Sequence, residues 1–139
     1  MAFADPGTGR NVLNNGLGSS PPTVTLTDTV SRGDVLGISA GTWVRAFGDV
    51  AAVIQGRVVA LESGVSGDVI EVSHCPVIDG YTGAAVGGVV YCAEGAGNEG
   101  EITQTAPSTT NDATTIIGIM LDATRCQFFL NSRADSLSS

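Results

Sequence analysis

The chain has no lysine and one histidine, and charged residues make up 14% of its 139 positions, well below the roughly 25% of an average soluble domain. Each shortage excludes something. Six arginines against fourteen acids leave a formal charge of -8, which repels a polyanion; no basic run offers a local exception, so nucleic acid is not an expected partner. The lone histidine, His74, is the base that any Ser-His-Asp triad would have to use, and no GxSxG elbow accompanies it. Its neighbour Cys75 would point to the opposite face of a strand, which works against a thiolate-imidazolium pair. No catalytic residue is assigned, and the chain reads as something other than an enzyme.

Paired metal-ligand spacings are missing as well. Cys75, Cys92 and Cys126 cannot all pair within one chain, none belongs to a CxxC, and with one histidine they do not make a zinc site. Buried reduced thiols are the expectation, while the sequence leaves open whether two of them form a disulfide. Asp28, Asp34, Asp49 and Asp68 sit in no DxDxDG loop and read as turn residues, so no metal and no cofactor is expected. Residues 95–100 match GxGxxG by letter, but they contain Glu99 and no helix signal follows, so a phosphate would be repelled. Residues 1–10 show no basic head followed by an apolar core, and no stretch is long and apolar enough to span a bilayer. The expectation is a soluble chain made in the cytoplasm, with no membrane partner.

What is abundant is glycine, with 19 residues, about twice the usual share. These glycines separate short β-branched runs, most clearly between Gly56 and Cys92, where Val58-Val59, residues 69–72, Val77-Ile78 and residues 86–91 are divided by Gly-Asp, Asp-Gly and Gly-Gly pairs. That is the pattern of sheet with tight turns; a helix through the same residues would carry each glycine at a cost of about 1 kcal/mol.

Residues 1–22 are polar and glycine-rich with scattered apolar side chains, and read as an extended N-terminal arm that gains order only from something that holds it. A β domain over 23–130 follows, then a polar tail over 131–139. Within the domain, residues 23–30 alternate as a half-buried strand interrupted by Asp28. Ala40-Gly41 joins residues 35–38 and 42–46 in a hairpin that carries Trp43. Asp49 to Gln55 fits either a short helix capped by Asp49 or a strand. Further strands are expected over 56–61, 68–74, 86–92, 102–105 and 127–130. The apolar run 114–121 should be central, with Gly118 marking a bulge or a close backbone approach.

The succession of Gly56-Arg57-Val58-Val59-Ala60, then Ser66-Gly67-Asp68-Val69-Ile70-Glu71-Val72, then Gly87-Gly88-Val89-Val90-Tyr91, then Ile117-Gly118-Ile119-Met120-Leu121 resembles the small capsid decoration proteins of tailed bacteriophages over about residues 30–130. The resemblance implies an all-β, small barrel- or sandwich-like domain of the β-tulip type. It also implies a structural virion protein on the outer surface of the capsid, bound to the major capsid protein and cementing the shell, as a homotrimer. Such proteins sometimes grip the shell through an N-terminal arm, which makes Phe3, Val12, Leu13 and Leu17 the expected capsid-binding anchors and Arg10 the expected partner of a shell carboxylate. The alternative is a head-fibre or tail-associated adhesin base that binds the host surface, for which Trp43, Tyr81 and Tyr91 are the available aromatics.

Overall fold

Ala40 and Gly41 both take positive φ, 50° and 79°, the pattern of a type I′ turn, whose twist matches that of the strands it joins. The hairpin expected there is present, and its register pairs Ile38 with Trp43. The computed structural model describes residues 2–130 and 135–139. In chain order its strands are β1 (Asn11–Asn14), β2 (Thr23–Thr25), β3 (Val35–Ser39), β4 (Thr42–Arg45), β5 (Val58–Ala60) and β6 (Val69–Ser73). They continue with β7 (Val77–Asp79), β8 (Val89–Cys92), β9 (Ile102–Thr103), β10 (Gly118–Met120) and β11 (Arg125–Phe128). Asp49 does cap a short helix, a single 3-10 turn over Val50–Ala52, by accepting the Ala51 amide at 3.0 Å.

The strands form two antiparallel sheets, ordered β1-β7-β11-β10-β8-β9 and β2-β6-β5-β3-β4. Successive side chains on β3 and β5 serve different cores, because a strand turns alternate residues to opposite faces. Val35 and Val59 pack between the sheets with Ile78, Val90, Met120 and Phe128. Leu36 and Ala60 point the other way and join Leu26, Val30, Ile70 and Val72. A parallel bridge from Leu26 to Trp43, with the Thr27 amide on the Trp43 carbonyl at 3.1 Å, brings the ends of β2 and β4 together. The second sheet thus curls around its own apolar cluster without closing into a complete barrel. Full burial of each large apolar side chain contributes about 1.5–3 kcal/mol.

Several expectations need adjustment: of residues 23–30 only Thr23–Thr25 form a strand, and the last strand is Arg125–Phe128 instead of 127–130. Of the run 114–121 only Gly118–Met120 is paired, between β11 and β8, because Thr114 bonds Ser136 and Thr115 bonds Gln55 instead of joining a ladder. Gly118 does mark a close approach: a Cβ there would lie 2.6 Å from the Gln127 carbonyl oxygen. The N-terminal arm, in turn, is held by the chain's own domain. β1 pairs with β7 at the edge of the six-stranded sheet, with Val12 opposite Ile78 and a bulge before Asn14, and Ala4 bridges to Thr82. Packing therefore runs across the 22/23 division. Of the expected tail, residues 131–134 lie outside the described residues. Residues 135–139 run back along the 111–115 loop, where Ala113 bridges Leu137 and Ser138 bonds both Asn111 and Asp112.

Candidate functional site

The N-terminal strap over residues 2–14 is organised around Arg10, whose side chain is fully buried. Its Nη1 lies 3.2 Å from both Asp5 carboxylate oxygens, and its Nη2 donates to the Gly7 carbonyl at 2.8 Å and to Asp34. The two carboxylates are fixed in turn: Asp5 accepts the Gly7 and Ile102 amides, each at 2.9 Å, and Asp34 accepts the Ser31 amide at 2.8 Å. Glycine makes the room. A Cβ on Gly33 would stand 2.9 Å from Arg10 Nε, and one on Gly80 would stand 3.1 Å from Arg10 Cα. Burial alone would lower the Arg10 guanidinium, but Asp5 and Asp34 more than offset it and raise it above its ordinary value, so it stays charged.

Arg10, expected to meet a shell carboxylate, has two carboxylate partners inside this chain, Asp5 and Asp34. Phe3 is likewise occupied: its ring stacks on Tyr81 with centroids 5.9 Å apart, and it packs on the inter-sheet core with Val12. Burial drives the Tyr81 phenol well above its usual range. Of the five residues expected to bind a capsid, Leu13 stands 51% exposed and Leu17 is half-buried, and neither packs on a core cluster. The structure separates the set into three that hold the strap down and two that remain available.

Two clefts flank the strap. The larger, about 450 Å³, is lined by Phe3, Asp5, Glu94, Glu101, Ile102 and Pro107 among others. The smaller, about 310 Å³, has Asp34, Arg45, Glu99 and Glu101 in its walls. Glu101 borders both, and burial together with nearby Asp5 lifts its carboxyl above the usual range. Chemically these walls are mainly acidic, with apolar side chains in the larger cleft and Arg45 as a cation in the smaller. The sequence could not show them, since they join residues about a hundred positions apart; likewise, the Arg10–Asp34 contact spans 24 positions with no motif to signal it.

His74 is exposed and lines neither cleft. All three cysteines are free. Cys92 and Cys126 are buried, and burial pushes the Cys92 thiol up to about 12 and the Cys126 thiol higher still. Cys75 is half-buried, with its Sγ 3.4 Å from the Gly16 carbonyl oxygen. Among the described residues no group of three or more His, Cys, Asp or Glu side chains is arranged to hold a metal, and no helix is long and apolar enough to cross a membrane. The chain matches no family model, no curated protein and no solved structure.

Proposed function

We propose that this protein is a structural component of a tailed-phage virion, seated on the outer surface of the capsid, where it contacts the major capsid protein and cements the shell in groups of three. The observation that carries the reading is the character of the outward surface. Leu13, Ile38, Val65, Val69, Val86 and Leu137 are each more than half exposed, with Val86 reaching 70%. Four of the five described arginines are meanwhile ion-paired within the chain. A surface with apolar side chains and little free positive charge suits docking by shape and apolar contact. The order of the Val-Gly segments adds the capsid class to that general inference.

A small, tied-down β domain strengthens a shell by spanning a junction between subunits without needing to react. Three copies around an axis make attachment multivalent, so that modest contacts at each copy hold together far longer than any one alone. In this reading Leu13, in the strap, and Leu17, just beyond it, take part in the contact. The decisive experiment mixes the purified protein with capsids that lack it, measures occupancy by co-sedimentation, and compares resistance to heat and internal pressure. Saturable binding with a gain in resistance is expected. Shells that neither bind the protein nor gain resistance would overturn the reading.

A further inference from the structure

One turn is built twice in this fold. Over residues 31–35 the Asp34 amide donates to the Ser31 carbonyl at 2.9 Å, the Ser31 amide donates back to an Asp34 carboxylate oxygen at 2.8 Å, and Gly33 takes φ 91°. The Gly33 amide and the Asp34 carbonyl then both bond Ala60. Residues 65–69 repeat each of these bonds. The Asp68 amide donates to the Val65 carbonyl at 3.0 Å, the Val65 amide donates to an Asp68 carboxylate oxygen at 2.9 Å, Gly67 takes φ 96°, and the Gly67 amide and Asp68 carbonyl both bond Leu26. A third turn with the same main-chain bonds, over 85–89, has Gly88 where the others have aspartate, so closing the turn does not require the carboxylate.

The two aspartate turns differ in what lies on them. On the first, the other oxygen of Asp34 holds the Arg10 guanidinium, and the strap sits so close that a Cβ on Gly33 would stand 2.9 Å from Arg10 Nε. Asp34 is 4% exposed there, and Val35 is fully buried. On the second, a Cβ on Gly67 would meet nothing within 4 Å, Asp68 is exposed, and among the described residues no arginine pairs with it. The valines on either side of it stand bare, Val65 at 55% and Val69 at 62%.

We propose that the 65–69 turn is a docking site for an arginine on an extended segment of a partner protein: Asp68 takes the guanidinium as Asp34 takes Arg10, and Val65 and Val69 cover apolar side chains that flank it. Charge complementarity selects the partner. A second copy is a poor candidate, because it shares the formal charge of -8 and spends four of its five described arginines on internal pairs. The fifth, Arg32, is tied to the Arg10 carbonyl at 2.7 Å and to Asn11 at 3.3 Å. The arginine therefore comes from another protein. An ion pair this exposed is weak alone, and several copies held side by side bring several such pairs to bear at once. The site goes beyond the shell reading, and its test uses no shell, so either can fail without the other.

The test follows the amide NMR resonances of the full chain as a capped Val-Thr-Arg-Thr-Val peptide is added, or the same peptide with neutral citrulline in place of arginine. The Val65 and Val69 amides should shift, and the arginine peptide should bind about two- to fivefold more tightly than its citrulline counterpart. The Ser31 amide is the internal control: its aspartate is already occupied by Arg10, so it should not move. Asp68→Asn keeps an oxygen for the Val65 amide, which preserves the turn, and should abolish the preference for arginine. The comparison of the two peptides on the wild-type chain does not depend on that variant folding. A Val65 amide that does not shift, equal binding of the two peptides, a preference that survives Asp68→Asn, or shifts confined to the amides around Glu62 and Glu71 would each overturn the proposal.

Discussion

Replacing Arg10 with alanine tests whether the strap is built into the fold. The change removes a fully buried guanidinium and leaves the side chains of Asp5 and Asp34, 1% and 6% exposed, without a counter-charge. Breaking a buried ion pair from one side costs about 3–5 kcal/mol, because the surviving charge stays desolvated. For a domain of 139 residues, each kcal/mol corresponds to about 3–4 °C, so the melting temperature should fall by about 10–20 °C. Urea unfolding supplies the free energy directly, with an unchanged slope showing that the same surface is exposed on unfolding. A triple change, Arg10→Met with Asp5→Asn and Asp34→Asn, should cost less than Arg10→Ala alone, since no charge is then orphaned. If Arg10→Ala costs under about 1 kcal/mol, or the triple change costs more than the single one, the argument that this knot ties the strap down is refuted.

Iodoacetamide should label Cys75 alone in the native protein and all three cysteines in denaturant, as read by intact mass, because Cys92 and Cys126 are buried with thiols pushed far above neutral pH. Gly118→Ala should destabilise by about 1–3 kcal/mol in chemical denaturation, because the new methyl lies 2.6 Å from a strand carbonyl that cannot move aside cheaply. Arg57 holds both Asp135 oxygens at 2.7 Å and keeps that carboxyl below the usual range. Its contribution is present above the ordinary aspartate pKa of about 4 and disappears as pH falls through the folded value, so acid should selectively shift the resonances of residues 135–139.

The strands were legible where side-chain alternation and turn chemistry coincide. Ala40-Gly41 and the Gly67-Asp68 entry into β6 place their strands within a residue or two, since a turn with positive φ at a glycine fixes where pairing begins. The run 114–121 promises a longer strand than it forms: its apolarity is real, but Thr114 and Thr115 are committed to Ser136 and Gln55, a non-local commitment that periodicity cannot register. The strap was misplaced in space for a similar reason. Its composition is that of a free tail, and Arg10, one of the side chains that tie it in, finds its second carboxylate 24 residues away. Of Val12, Leu13 and Leu17, Val12 alone packs on the core.

β3 and β5 bear apolar side chains on both faces, Val35 and Val59 toward one interior, Leu36 and Ala60 toward the other. Those two strands act as a party wall between adjoining rooms. Neither room can be enlarged or dented without disturbing the partition they share. Their amides, screened from water on either side, should be the last in the molecule to trade hydrogen for deuterium.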